Sequence, residues 1–195
     1  MFTQSAARRT TDWLVQGGCV KAEERVVYEF GLDKMISSCI NFFFALLLGA
    51  LFGVLVQTVL FYVTYVALRV YAGGYHAEKA INCFWASIVV LVPCLVVIRF
   101  YQTWNTALIF WGLLAVSAVV LVKIGPVEHK NKPLDATAKV VYRRRLLRNL
   151  AVAVAVVVGL RLFSLEGLAV AMLCGMVLTA MAAGVGKVQA GIAKV

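Results

Sequence analysis

One histidine and one cysteine stand seven residues apart in the stretch RVYAGGYHAEKAINC, residues 69–83, between two long apolar runs. The pair Gly73-Gly74 precedes His76, and Cys83 opens the second apolar run. A thiolate attacks carbonyl carbons readily, and a nearby imidazolium lowers the pKa of a thiol that is otherwise mostly protonated at neutral pH. The stretch therefore has the components of a Cys/His nucleophilic site. The alternative is a tight turn that contains an uninvolved histidine and a buried cysteine.

The spacing of the two residues sets a geometric condition. On one continuous helix, seven residues put both side chains on the same face but about 10 Å apart along the axis. The site therefore requires a helix that starts after His76, so that the Gly-Gly loop folds back over the turn carrying Cys83. Gly73 and Gly74 let the backbone approach a ligand closely and are candidates for orienting the imidazole or polarising a carbonyl. Glu78 and Asn82 lie between His76 and Cys83 and are candidates for the same roles. Ordinary polar residues at a helix entry are the alternative for both.

The composition of the chain indicates a membrane protein. Of its 195 residues, 63% are hydrophobic and 14% are charged, whereas soluble domains average about 45–50% and about 25%. We predict an all-α, polytopic membrane helix bundle in a single membrane-embedded domain, residues 1–195. The five cysteines form no CxxC pair, which predicts neither a metal cage nor a disulfide framework, and no cofactor is expected.

The N-terminal region, residues 1–35, is polar and of mixed charge. We predict interfacial amphipathic helices here, with a flexible tail as the alternative. Gly17-Gly18 is expected to divide the region, Gly31 to cap a helix over residues 21–30, and Asp33 to cap the next helix. The transmembrane bundle is expected over residues 36–184.

The first apolar run, residues 35–68, is too long for one span, since about 20 residues cross the hydrocarbon. It predicts either one long tilted helix or a tight hairpin that turns near Gly49–Gly53. The hairpin returns Arg69 to the same side as the basic N-terminal residues, and the positive-inside rule therefore favours it.

Four further spans complete a six-span bundle, over residues 81–98, 106–122, 146–162 and 168–184. Pro93 is expected to kink the first of these, and the short turn at Phe163–Gly167 predicts a hairpin between the last two. Small residues four apart in the last span, Ala171 with Gly175 and Ala180 with Gly184, suit close helix packing. A homodimer is expected from these small residues alone.

A basic segment at residues 123–148 separates the fourth and fifth spans and carries eight basic and two acidic residues. Asp135 is expected to cap a helix within it. With six spans, 17 of the 19 Lys and Arg residues fall on the side of the termini. This predicts a multi-pass protein of a cell membrane with its termini and the Gly-Gly loop in the cytoplasm. Insertion orientation and the anionic headgroups of the lipid bilayer account for most of the positive charge. The basic segment exceeds what orientation needs, so binding of an acidic peptide is a second expected role, and no nucleic-acid partner is expected.

Two motifs resemble one known family. The stretch RVYAGGYHA with a cysteine seven residues after the histidine, followed by PVEHKNKPL at residues 126–134, is similar to the accessory gene regulator B (AgrB) family. The members of that family are bacterial membrane cysteine endopeptidases of peptide quorum sensing. The resemblance covers essentially the whole chain.

The resemblance implies that Cys83 is the nucleophile and His76 the base. The implied substrate is an AgrD-like precursor of an autoinducing peptide, with an amphipathic leader and an acidic C-terminal tail that the enzyme removes through an acyl-enzyme thioester. The acyl group then passes to a residue inside the substrate and closes a thiolactone or lactone. The residues expected to bind the substrate are polar or basic and lie within the two motifs or in the basic run that follows the second: Arg69, Lys130, Asn131, Lys132, Arg143, Arg144 and Arg145.

Two other functions fit a small membrane bundle. A peptide transporter or exporter without proteolytic chemistry is the first, although no span interior carries the ionisable residues typical of an ion pathway. A scaffold or receptor is the second, and it would leave the Gly-Gly-Tyr-His stretch and Cys83 without a role.

Overall fold

The computed structural model describes residues 2–74, 80–104, 106–127 and 135–192. The described helices, in chain order, are α1 (Phe2–Gln16), α2 (Arg25–Leu51), α3 (Leu55–Ala72), α4 (Ala80–Arg99), α5 (Tyr101–Trp104), α6 (Ala107–Ile124), α7 (Ala136–Leu162) and α8 (Glu166–Ile192). A 3-10 turn, Ala22–Glu24, leads into α2. No strand occurs in these ranges apart from one isolated bridge, so the predicted all-α fold is confirmed.

Four helical segments are long and apolar enough to cross a membrane: Ala22–Leu51, Leu55–Ala72, Ala107–Ile124 and Glu166–Gln189. A shorter apolar helix covers Trp85–Arg99. In α7 only the second half is apolar, since its first half carries the basic residues. These segments together agree with the predicted bundle of about six spans.

The first apolar run is a hairpin, as the charge pattern predicted. Helix α2 ends at Leu51, Gly53 adopts a positive φ of 69°, and α3 begins at Leu55. A Cβ on Gly49 would overlap the side chain of Thr58 on α3, so the two helices approach each other closely just before the turn.

The predicted helix break at Gly31 and the predicted N-cap at Asp33 are both wrong. Helix α2 runs through both positions without interruption. A glycine inside a helix costs only about 1 kcal/mol, and packing against α1 offsets such a cost. Two ion pairs link these helices, Arg8 with Glu29 and Arg25 with Asp12, each at 2.7 Å. Tertiary contacts therefore outweigh the local glycine signal.

The centre of the bundle is α8, which packs against α3, α6 and α7. Of its membrane-span segment 61% is buried, against 11% for that of α2. Gly175 allows the closest approach, since a Cβ there would lie 2.8 Å from the carbonyl oxygen of Phe61 on α3. The prediction of close packing is confirmed at Gly175, whereas Gly184 has open space around it.

Two local predictions in the second half of the chain are confirmed. Asp135 caps α7, and its carboxylate accepts a hydrogen bond from the backbone N–H of Ala138 at 2.8 Å. A short turn with Ser164 at φ 60° joins α7 to α8 as a hairpin. Pro93 lies inside α4, which continues past it to Arg99.

Candidate active site

The predicted nucleophile and base lie around the end of α3 and the start of α4. The chain leaves α3 at Gly73, three residues before His76, and is helical again from Ala80, three residues before Cys83. The backbone of Cys83 and of Asn82 is therefore helical. Their side chains, and all of His76 and Glu78, lie outside the described residues.

The Gly-Gly pair is held by close backbone contacts on two sides. Gly73 and Gly74 have positive φ values of 70° and 123°. A Cβ on Gly73 would overlap the carbonyl of Val127, and one on Gly74 would lie 2.5 Å from the carbonyl oxygen of Ala182 on α8. Any residue other than glycine at these two positions would strain the backbone, and its Cβ would not fit beside the neighbouring carbonyls. The sequence predicted a close approach of this backbone to a ligand, whereas the close approach in the structure is to carbonyls of the protein itself.

The proline segment after α6 pairs with this turn. Val127 donates its backbone N–H to the carbonyl of Ala72 at 2.8 Å and forms an isolated parallel bridge with Gly73. Gly125 packs so closely against α7 that a Cβ would overlap the side chain of Leu146. The two motifs that stand far apart in the sequence therefore meet at one end of the bundle.

Two arginines predicted to bind substrate hydrogen-bond to the protein's own backbone. Arg69 donates from Nη1 to the carbonyl of Gly73, and Arg143 donates from Nη1 to the carbonyl of Gly125 at 3.3 Å. Asn149 of α7 adds a hydrogen bond to the carbonyl of Ala67 at 3.0 Å. Arg69 and Arg143 satisfy carbonyls just beyond the ends of α3 and α6, where no further helical N–H follows.

The remaining predicted arginines, Arg144 and Arg145, are exposed on α7. Together with Val141 and Arg148 they line a surface pocket of about 460 Å³. The guanidinium of Arg145 also lies over the ring of Tyr71, 6.0 Å from its centroid. Lys130, Asn131 and Lys132 lie outside the described residues.

Sequence reasoning did not identify several residues that position this site. Val127 and Ala182 supply the carbonyls that contact Gly73 and Gly74, and Tyr142 packs edge-on against Tyr71 at 5.7 Å. The adjoining proline motif was a usable signal for Val127. Ala182 has no local signal, because any small residue of an apolar helix looks the same in sequence.

The other cysteines and the acidic residues offer no competing centre in the described ranges. Cys19 and Cys39 are exposed and form no disulfide, and Cys94 and Cys174 lie within apolar helices. Across these same ranges, no three His, Cys, Asp or Glu residues are close enough to hold a metal ion.

Comparison with known proteins gives one consistent result. AgrB-like protein 2 of Clostridium perfringens strain 13 is 27% identical over 122 residues, covering 60% of this chain and 57% of its own length. An AgrB-like protein of Listeria innocua is 24% identical over 161 residues, covering 80% of this chain and 75% of its own length. No solved structure matches the chain. The chain thus spans little more than half the length of its clostridial relative. Residues 7–184 match the family described as accessory gene regulator B, and the chain belongs to that family.

Proposed function

We propose that this membrane protein is a cysteine endopeptidase that removes the C-terminal tail of a precursor peptide in quorum sensing. The observation that carries the proposal is the family match over residues 7–184, which includes the Gly-Gly-Tyr-His stretch and Cys83. The local fold supports it. A turn fixed at Gly73-Gly74 and a helix beginning before Cys83 are separate segments from which an imidazole and a thiol can meet, as a Cys-His pair requires.

In the proposed first step His76 takes the proton of the Cys83 thiol, and the thiolate attacks the carbonyl carbon of the scissile peptide bond. The tetrahedral intermediate collapses, and the C–N bond breaks. The amino group of the released tail takes the proton from His76. The rest of the precursor remains on Cys83 as a thioester. Glu78 and Asn82 are proposed to orient the imidazole and to polarise the carbonyl.

The second step decides the product. A thiol or hydroxyl inside the bound precursor gives its proton to His76 and attacks the thioester carbonyl. Cys83 leaves as a thiolate and takes that proton back from His76, and a thiolactone or lactone ring closes. Exchange of one thioester for another is nearly balanced in free energy, so water must be excluded or hydrolysis dominates. A site at the mouth of a helix bundle provides that exclusion. Forming the thioester from an amide is uphill, and removal of the released tail draws the reaction forward.

The basic segment is proposed to dock the acidic tail of the precursor. Lys130, Asn131 and Lys132 follow Val127 by three to five residues, and Val127 is hydrogen-bonded to the end of α3. A tail bound at these residues would therefore lie beside the Gly-Gly turn. Arg69 and Arg143, whose guanidinium groups donate to backbone carbonyls, are assigned a positioning role rather than contact with the tail.

The orientation that we propose is multi-pass, with the active site on the cytoplasmic side. The described contacts support it, because they bring the basic ends of helices together. Arg69 at the end of α3 donates to the carbonyl of Gly73, and Arg143 of α7 donates to the carbonyl of Gly125. The segments that contain Gly73 and Gly125 are hydrogen-bonded to each other at one end of the bundle. Arg161 lies near the other end of α7, ion-paired with Glu166 at the start of α8.

The proposal is tested with purified protein in lipid nanodiscs and a synthetic precursor. The peptide carries an amphipathic leader, an internal cysteine and an acidic tail. Wild-type protein is expected to release the tail, whereas Cys83→Ala and His76→Ala are not. The control variant Cys94→Ala is expected to retain activity, since Cys94 lies inside α4 away from its first turn. Tail release by Cys83→Ala at the wild-type rate would falsify the assignment.

A further inference from the structure

The outer face of α7 carries three arginines at helical spacing. Arg144, Arg145 and Arg148 are exposed and line one pocket with Val141. Residues three and four apart share a helix face, so the three guanidinium groups converge on one region. Within the described residues none of the three forms an ion pair with a carboxylate.

The same ridge of α7 continues into exposed apolar side chains. Counting four residues at a time, Arg144 and Arg148 are followed by Val152 and Val156. Val152 is 59% exposed and Val156 is 42% exposed. A ligand on this ridge meets positive charge first and an apolar surface next. An acidic peptide in water would bind the arginines but has no apolar group to place on the surface at Val152 and Val156.

The length of the apolar part of α7 determines how far Arg144, Arg145 and Arg148 lie from the centre of a bilayer. From Asn149 to Leu162 there are 14 residues, which span about 21 Å at 1.5 Å per residue. The hydrocarbon core of a bilayer is about 30 Å thick. Arg161 does not shorten this stretch further, because its side chain is 16% exposed and is paired with Glu166.

The mismatch of roughly 9 Å requires either local thinning or arginine side chains that reach along the helix to the headgroup layer. In both cases Arg144, Arg145 and Arg148 lie at the level of lipid phosphates. Arginine suits that position, since its planar donor fork binds phosphate with two parallel hydrogen bonds.

From these observations we infer that α7 holds an anionic phospholipid, with its phosphate among Arg144, Arg145 and Arg148 and its acyl chain along Val152 and Val156. The guanidinium of Arg145 lies 6.0 Å from the ring centroid of Tyr71 at the end of α3, so the bound headgroup adjoins the helix that leads into Gly73. The residues of this site are not those assigned to the tail dock, Lys130 and Lys132. The inference does not depend on the endopeptidase proposal, because it concerns lipid binding alone.

Native mass spectrometry of the full-length protein tests the inference, with dioleoyl phosphatidylglycerol and dioleoyl phosphatidylcholine added at equal concentration. Wild-type protein is expected to retain phosphatidylglycerol preferentially. The double variant Arg144→Gln/Arg148→Gln is expected to lose about 25-fold in that preference, since each basic residue near an anionic membrane surface contributes roughly fivefold. The double variant Arg9→Gln/Lys187→Gln removes the same charge at exposed positions elsewhere and is expected to keep the preference.

Two further arms separate lipid from other ligands. The variant Val152→Gln/Val156→Gln keeps all three arginines and is expected to weaken lipid retention severalfold, because the acyl chain loses its apolar path. An acidic tail peptide added in excess is expected to leave the lipid in place. Equal retention of the two lipids by wild-type protein, an equal loss in both charge variants, unchanged retention in the valine variant, or displacement of the lipid by the peptide would each overturn the inference.

Discussion

Gly73 at the end of α3 and Val127 after α6 form an isolated parallel bridge, although they stand 54 positions apart in the chain. The bridge joins the turn before His76 to the segment before Lys130. The structure therefore connects the predicted catalytic turn directly with the predicted docking segment. This connection leads to the first prediction.

The contact at Gly73 is expected to be sensitive to a single methyl group. In Gly73→Ala the new Cβ overlaps the carbonyl of Val127 and the positive φ is strained. Gly53→Ala has the same positive φ with open space around it and serves as the control, expected to cost about 1 kcal/mol. We expect Gly73→Ala to lower the unfolding temperature more than Gly53→Ala does, and to abolish tail release. Equal effects of the two variants would show that the approach to Val127 is not required.

The close approach of α3 and α8 is expected to depend on Gly175. In Gly175→Val the side chain would meet the carbonyl of Phe61 and the side chain of Thr64, and overpacking costs typically 1–3 kcal/mol. Gly184→Val places the same group in open space and should be nearly neutral. Thermal unfolding in detergent, followed by the fluorescence of the native tryptophans, measures both. A loss of stability at Gly184 as large as at Gly175 would contradict the packing.

The sequence predicted the architecture well where charge and apolar length determine it. The α2–α3 hairpin followed from the position of Arg69, and the helix cap at Asp135 followed from residue type. The break at Gly31 was wrong, because the local glycine signal is outweighed by the contacts of α1 with α2, which involve residues 21 positions apart in the chain, such as Arg8 and Glu29.

At the site, the close approach of Gly73-Gly74 was predictable but its partners were not. Val127 and Ala182 come from distant segments, and only the packed bundle brings them to the turn. Arg143 illustrates the same limit. In sequence it is one member of a basic run, whereas in the structure its guanidinium donates to the carbonyl of Gly125. Charge predicts the side of the membrane on which an arginine lies but not the group to which it donates.

The orientation of the bundle is expected to place Thr103 and Ser164 outside the cell. Both are exposed, Thr103 in the short helix α5 that follows α4 and Ser164 in the turn that follows α7. A cysteine introduced at either position should react with a membrane-impermeant maleimide in intact cells. Cys19, which is also exposed, should react only after the membrane is permeabilised. Reaction of Cys19 in intact cells would overturn the proposed orientation.

The docking of the acidic tail is expected to depend on Lys130 and Lys132. In Lys130→Gln/Lys132→Gln, apparent KM should rise severalfold while kcat changes little, because exposed ion pairs contribute about 0.2–1 kcal/mol each. Insertion should be unaffected, since Arg143, Arg144, Arg145 and Arg148 remain. A precursor with a neutralised tail should show a similar loss. If the two losses simply multiply when enzyme and substrate changes are combined, these lysines do not contact the tail.

The central claim, that Cys83 becomes acylated, is tested most directly by trapping the intermediate. The protein is mixed with a precursor whose internal cysteine is replaced by alanine, quenched in acid, and analysed by peptide mapping with mass spectrometry. We expect the precursor, without its tail, to be attached to the peptide containing Cys83 and to be released by hydroxylamine, as a thioester is. Attachment at another cysteine, or tail release with no adduct on Cys83 at any time during turnover, would contradict the account.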